Sequence, residues 1–587
     1  MPIPISEGTR LQAEAVLIHV ALFSVVDVPS FTRYSYFNPE HRVTVDLATP
    51  FLFRTWRPWW SSLGGTRKLF AFPSSATLFT ETFRYRFSEA MKLVMAVLPL
   101  LFLTVLSHSE ADQAFDVRQH LSTVSRYGAV KDIADNSFVP TGIPDGCTRI
   151  HLNLVARHGT RSPTKRRMRE LDKLAARIQE LLRDAKQHSL SSKKVPAWLW
   201  QWESPWKGKL KGGELISKGE DELYDLGIRI RERSPDLFDE EYHPDVYTIK
   251  ATQVPRASAS AVAFGMGLFR ERGSLGPGRH RAFAVIIESC ASDIMLRFYD
   301  CCENYKDFRK NQEPAVEKLK EPIFDEIASA LQKRYELNFR SQDISSLWFL
   351  CKQEASLLDT TDQACGLFSP SEVVLLEWTD DVEFFILKGY GNSLNYQMGV
   401  PLLEDILRSM EQAIKAKEEN QAPGSYEKAR LRFAHAETVV PFSCLLGLFL
   451  EGSEFEQIQK EEPLDLPPKP PQKRNWRGST VAPFGGNNML VLYSCPANSS
   501  SKYFVQVLHY EHPIPMPGCN GADFCPFEVF KERVVVPHMK HDYNALCKAK
   551  LEQPEQKPAT SKLILLFRWL FSLGNEDTLS QRHRVEL

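Results

Sequence analysis

The sequence predicts an α/β protein: a central, mostly parallel sheet flanked by helices, with an inserted, mainly helical cap. Three observations carry that prediction. Strand-like and helix-like segments alternate between residues 149 and 269, the pattern of a parallel sheet with helices on both faces. From about 290 to 425 helical periodicity dominates with few strand signals, for example at 315–334 and 401–418. Strand signals return at 431 and end in a hairpin. The chain is divided accordingly, with 110–290 as the first part of an α/β core, 291–425 as the cap, 426–550 as the second part and 551–587 as a tail.

Each element has its own signal. A strand at 149–156, with the apolar run Ile150 to Val155, leads into the octet Arg157-His158-Gly159-Thr160-Arg161-Ser162-Pro163-Thr164. Leu171, Leu174, Ile178 and Leu182 then recur at helical spacing. Trp198, Trp200, Trp202 and Trp206 precede a Gly-Lys loop at 207–213 and are expected to pack in the core. A helix at 215–233 opens with Ser217 and Glu220, the pattern of a capping box. A strand at 246–251 and the turn Gln253-Val254-Pro255-Arg256 lead into a small-residue helix ending near Phe269. Within the cap, Asp380-Asp381 reads as a solvated helix boundary. The core resumes at 431 and continues into an apolar helix at 442–450. Residues 461–474 form a Pro-rich charged surface loop. Strands at 489–493 and 503–509 make the hairpin, whose connector carries the glycosylation acceptor pattern Asn498-Ser499-Ser500.

The bulk numbers narrow the function classes. The chain has 587 residues, 43% hydrophobic and 25% charged, enough for a large core. A net charge of −1 argues against a nucleic-acid binder held by bulk electrostatics. Any anion-binding surface must be local, and the basic run Lys165-Arg166-Arg167 with Arg169 is a candidate. Eleven cysteines show no Cys-x-x-Cys zinc spacing, so disulfides are expected in an oxidising compartment, with at least one thiol left over. Cys519 and Cys525 bracket a tight loop and are the first choice for a bridge. Met91-Lys92 followed by an apolar run to Leu106 and by Ser107-His108-Ser109 reads as a secretory signal peptide over 91–109. Residues 1–90 are then a non-native extension, translation starting at Met91, or an organelle-targeting presequence. The apolar stretch 563–573 is too short to span a membrane and reads as a terminal helix or a peripheral membrane contact. The ending Arg584-Val585-Glu586-Leu587 lacks the Asp-Glu-Leu of a retrieval signal. The expected location is the secretory pathway: extracellular, vacuolar or endoplasmic-reticulum lumen.

The octet points to phosphoryl chemistry. A neutral imidazole can carry a transferred group covalently, and flanking guanidiniums match phosphate oxygens while staying charged. Gly159 is expected to let backbone approach a ligand, Pro163 to stiffen the exit, and Thr164 to add a hydroxyl donor.

Arg-His-Gly-x-Arg-x-Pro-Thr resembles the signature of the histidine acid phosphatases, the phytase-like branch of the histidine phosphatase superfamily, whose fold is phosphoglycerate mutase-like. The distant His435-Ala436-Glu437-Thr438, after strand-like Leu431-Arg432-Phe433-Ala434, is similar to the second element of the multiple inositol polyphosphate phosphatases, plant type. The resemblance runs from roughly 127 to 548. It implies a phosphomonoesterase acting on inositol polyphosphates, phytate above all, with His158 as nucleophile. It further implies Arg157, Arg161, Arg256, His435, Thr164 and Lys165 as phosphate contacts and Glu437 as proton donor and later base. Lys218 is a weaker candidate for the same pocket. The implied partner is a small anionic substrate, and the chain is expected to be a monomer without metal or cofactor, the arginines supplying the positive charge. Rival readings are a broad-specificity acid phosphatase, a phosphoglycerate mutase-like phosphotransferase, and an inositol phosphate-binding protein without activity.

Overall fold

A computed structural model describes residues 115–130, 138–187, 194–496 and 499–548. The chain divides after Ser109, and everything described belongs to the unit that follows. The leader, the acceptor Asn498 and the C-terminal tail lie outside the described residues.

Strand β1 (Thr148–Arg157) is followed by helices α1 (Lys165–Gln187) and α2 (Ser217–Arg233). Strand β2 (Tyr247–Ala251), helix α3 (Pro255–Leu268) and the two-residue edge strand β3 (Ile286–Ile287) come next. The chain is then helical as far as β4, through α4 (Glu303–Tyr335), α5 (Ser341–Gln353), α6 (Pro370–Lys388) and α7 (Val400–Glu418). β4 (Ala429–Ala434) and α8 (Ala436–Leu445) precede four strands: β5 (Asn487–Ser494), β6 (Tyr503–His509), β7 (His512–Pro513) and β8 (Phe524–Pro526).

The eight strands form one mixed sheet with a mostly parallel core, in the order β3-β2-β4-β1-β5-β6-β7, with β8 also on β6. β4 lies parallel to both β1 and β2, while β5 and β6 form the expected antiparallel hairpin. β1 alternates between two cores, as a strand covered on both faces must. Leu152, Leu154 and Ala156 pack with Leu223, Leu226 and Ile230 of α2 and Phe264 and Leu268 of α3. Val155 faces α7, α8 and the C-terminal strands, and so does Ile150, at an irregularity in the register with β5 between Arg149 and His151. A third core joins α1, α4 and α5, with Trp202 and Trp206 buried in it as expected. Burying such side chains contributes roughly 1.5–3 kcal/mol each.

Not every strand position facing α7 is apolar. Asn153 and Arg432 are fully buried, Arg432 Nη1 donating to Asn153 Oδ1 at 2.9 Å and pairing with Asp405 of α7. No helix among the described residues is long and apolar enough to cross a membrane.

Four disulfides close the fold: Cys147–Cys495, Cys302–Cys547, Cys351–Cys365 and the expected Cys519–Cys525. Cys290, Cys301 and Cys444 are free thiols. Cys147–Cys495 ties the lead into β1 to the end of β5 across a sequence separation of 348 residues. Removing it with paired Cys→Ser changes is expected to cost about 2–5 kcal/mol, read as a lower urea midpoint than the parent.

Two expectations are corrected. Ser217 does not cap α2. Ile216 is the N-cap residue, its aliphatic side chain has no acceptor to cap with, and its N–H is bonded to the octet at Thr160 O, 3.1 Å away, which fixes where the helix starts. Asp380-Asp381 is no solvated boundary either: both residues lie inside α6. Asp380 accepts from Trp348 Nε1 and Lys352, and Asp381 is fully buried against Arg474 and the Gly478 N–H. A second carboxylate one turn earlier, Glu377, explains the site. It is fully buried and accepts from His120, Arg474, Arg477 and Ser479. The paired acids need internal cations that periodicity does not reveal.

Candidate active site

Parallel strands end at one edge of the sheet, and a chemically loaded loop leaves each end there. Arg157, the last residue of β1, is in register with Ala434, the last of β4, and Ala251 of β2 is in register with Phe433. The octet, the 252–256 turn and His435 to Glu437 therefore converge, although they are far apart in sequence. His158 N donates to Ala434 O at 3.0 Å, and Gly485 N donates to His158 O at 3.1 Å, clamping the start of the octet.

The His158 ring is defined by one bond. Its Nδ1 lies 2.9 Å from Gly159 O. A carbonyl only accepts, so Nδ1 carries the proton and Nε2 keeps its lone pair. Burial, then Arg256, Arg157, His435 and Arg161, push the His158 pKa well below its ordinary value, so the imidazole stays neutral in mild acid.

Arg157 is aimed by its surroundings. Its Nη1 donates to Thr123 O at 2.5 Å and to Ala482 O at 2.8 Å, and its guanidinium lies 4.4 Å from the Phe484 ring centroid. Burial, opposed by Glu437, brings it down to about 10, still cationic at neutral pH. Arg256 sits in the first turn of α3 and donates from Nη2 to His435 Nδ1 at 3.3 Å. His435 Nε2 therefore carries the hydrogen and donates to Thr252 Oγ1 at 3.0 Å. Burial first, then Arg256, hold His435 well below its usual range. The two imidazoles meet edge-on with centroids 5.4 Å apart. Arg161 Nη1 donates to Ser162 O at 2.9 Å.

Thr164 also belongs to this edge. A methyl built on Gly213 would lie 3.8 Å from Thr164 Cγ2 and 4.0 Å from Arg256 Nη1, so both side chains border the same loop. Thr164 Oγ1 is shielded and has no hydrogen-bond partner among the described residues. Lys165 is exposed at the start of α1. Lys218 is taken up by Asp359, 2.5 Å away.

Glu437 lies in the first turn of α8, where the helix dipole favours its charge. Burial pushes its carboxyl up, but Lys388, 2.8 Å from Oε1, together with His435 and a backbone N–H, outweighs burial and holds it well below the usual carboxylate range.

Gly159 serves a different purpose from the one its place in the octet indicates. A Cβ there would come within 2.3 Å of Gly219 O, so the glycine admits the backbone of α2. Four supporting residues escaped the sequence reading. Glu222 of α2 accepts from Thr160 N and Oγ1, both at 2.8 Å, and Ser260 of α3 accepts from Gly159 N at 3.1 Å. Thr252 orients His435, and Lys388 meets Glu437. Only Glu222 had a signal available, as a charge on the α2 face that periodicity directs to the core.

A neutral imidazole with a free lone pair, surrounded by guanidiniums, can attack an electrophilic phosphorus. The chain is 26% identical over 441 residues to multiple inositol polyphosphate phosphatase 1 of Dictyostelium discoideum, covering 66% of each chain, a little under two thirds of that relative. The fold matches the crystal structure of the phytase from D. castellii with a TM-score of 0.56 at 18% identity, over 75% of this chain and 90% of that one. It also matches Bifidobacterium longum multiple inositol polyphosphate phosphatase in complex with inositol hexasulfate, with a TM-score of 0.50 at 17% identity, over 72% and 98%. With the family model matching residues 150–510, which span the whole convergent edge and more than half of the sequence, the chain belongs to branch 2 of the histidine phosphatase superfamily.

Proposed function

We propose that this protein hydrolyses phosphate monoesters of inositol polyphosphates through a phosphohistidine on His158. The observation that carries the reading is the His158 Nε2 lone pair, fixed by the Nδ1 bond to Gly159 O and surrounded by cationic arginines. Arg157, Arg161 and Arg256, with Thr164, hold the non-bridging oxygens, and His435 joins them by turning its Nε2–H from Thr252 Oγ1 to a phosphate oxygen; Lys165 borders the entrance. Nε2 attacks phosphorus in line and the ester P–O bond breaks. Its electron pair goes to the inositol oxygen, which takes a proton from Glu437. Water then attacks the phosphohistidine, giving its proton to Glu437 as the P–N bond breaks. Dense negative charge in the substrate suits a cationic site in a near-neutral chain.

The helical stretch 291–425 acts as a cap between core parts 110–290 and 426–550. Four disulfides support a secreted or lumenal location.

Phosphate release from inositol hexakisphosphate, followed against pH with and without an alcohol acceptor, tests this function. Release to water is expected, with no fall in kcat/KM as pH drops through 6.5, because His158 stays neutral there. Transfer mainly to the acceptor would point to a phosphotransferase. An equal preference for simple aryl phosphates would point to a broad acid phosphatase, and no turnover to a binding protein.

A further inference from the structure

A proton donor must hold a proton, yet Glu437 rests against an ammonium. Lys388 Nζ is 2.8 Å from Glu437 Oε1, and the two come from separate elements, Lys388 ending α6 and Glu437 opening α8. Both backbones are fixed. Asn395 Nδ2 donates to Ile386 O and Gly389 O, both at 2.9 Å, and Tyr390 OH donates to Leu448 O at 2.8 Å. Gly389 lies so close to the Trp476 indole that a Cβ there would come within 2.3 Å of it. On the other side, Thr438 Oγ1 donates to Leu296 O at 2.7 Å. The contact therefore joins two held elements, so opening it falls to the Lys388 side chain, which is 11% exposed, and leaves both backbones in place.

The other charged and titratable groups facing this carboxylate are engaged elsewhere. From α4 come Tyr305, whose OH donates to Leu387 O at 2.9 Å, and Arg309, which pairs with Glu313. From the turn before α4 come Tyr299 and the Arg297–Asp300 pair. Arg157 approaches from β1, and His435 is beside it. Glu383 on α6 also feels Lys388 but is itself paired with Lys320. Lys388 is the cation that Glu437 touches.

We propose that Lys388 is a positioning residue that ties up Glu437 in the empty site and is drawn off by a second phosphate of a polyphosphorylated substrate, so that the substrate arms its own proton donor. The inference rests on Glu437 being the donor in the reaction described above. Once the ammonium turns to the second phosphate, burial dominates and the carboxylate takes up a proton from solvent. That proton passes to the leaving inositol oxygen as the P–O bond breaks, and the hydrolytic water restores it. A monophosphate lacks the second anion and leaves the salt bridge closed. The site would thereby favour polyphosphates at the chemical step as well as in binding.

The test uses the full chain with K388M, K388R and E437Q, inositol hexasulfate as a non-reacting probe and inositol hexakisphosphate as substrate. On binding the probe in mild acid, the parent is expected to take up about one proton more than E437Q, while K388M takes up no more than E437Q. The basic limb of kcat/KM is expected to move up by about 1–3 pH units in K388M, the range an adjacent opposite charge commands, and to stay in place in K388R. Equal uptake in parent and E437Q, or an unmoved limb in a folded K388M, overturns the inference while leaving Glu437 as donor if E437Q is slow. Parent-like turnover by E437Q removes the donor assignment and this inference with it.

Discussion

His158→Ala is expected to abolish phosphate release from inositol hexakisphosphate, with kcat falling by at least about 10⁴-fold, as when a covalent nucleophile is removed. At 1.36 kcal/mol per tenfold, that is about 5.5 kcal/mol of lost transition-state stabilisation. The change should leave the fold intact. The His158 backbone keeps its bonds to Ala434 and Gly485, and the side chain gives up one hydrogen bond, to Gly159 O. Such a bond contributes about 0.5–1.5 kcal/mol. Inositol hexasulfate should still bind the variant, because the arginines remain. Alkali-quenched turnover with radiolabelled substrate, which preserves the acid-labile P–N bond, should label the parent protein and leave the variant unlabelled. Labelling of the variant, or turnover within tenfold of the parent, would move the nucleophile elsewhere.

Glu377→Ala is expected to be the most destabilising single change outside the reacting groups, by about 3–5 kcal/mol, as when one partner of a buried ion cluster is lost. Glu377 is fully buried and accepts from Arg474 Nη2 at 3.0 Å, Arg477 Nη2 at 2.8 Å, His120 Nδ1 at 2.9 Å and Ser479 Oγ at 2.6 Å. Alanine leaves Arg474 with Asp381 alone and Arg477 with the Gln119 carbonyl but no carboxylate. The cluster also joins three separate pieces of chain: the segment before Thr123, helix α6, and the residues leading to Ala482. Thr123 O and Ala482 O are the acceptors that aim Arg157. Urea unfolding should therefore show a lower midpoint, and the folded fraction should bind inositol hexasulfate more weakly. An unchanged midpoint would mean that water compensates the two arginines.

Much of this site was legible in the sequence because phosphate chemistry constrains residue type and spacing together. The octet and His435-Ala436-Glu437 mark the ends of two strands, and parallel pairing of β1 with β4 is enough to bring them together. The strands and long helices were legible for a similar reason: Leu171, Leu174, Ile178 and Leu182 repeat at the helical period and are all buried. The supporting residues were not. Arg432 reads as a break in an apolar strand, yet it is fully buried because Asp405, on a helix that precedes it, meets its charge. Asp381 failed in the same way, its partner Arg474 lying within a Pro-rich loop that reads as solvent-facing. Lys388 at a helix end reads as ordinary dipole compensation. Pairing between distant ions leaves no periodic trace, so burial of charge is what local pattern conceals.

The position of β1 sets the order of events during synthesis. Both of its neighbours in the sheet, β4 at Ala429–Ala434 and β5 at Asn487–Ser494, are made long after it. A ribosome emitting this chain therefore exposes an apolar strand whose edges stay unpaired, with α2 and α3 able to cover one of its faces before β4 and β5 arrive. Cys147 waits just as long for Cys495, while Cys290, Cys301 and Cys302 emerge before its partner does. High contact order of this kind slows folding. Truncated chains ending before the hairpin should accumulate as insoluble, mispaired species, and the yield of active protein should depend on thiol–disulfide isomerisation more than on the intrinsic stability of the finished fold.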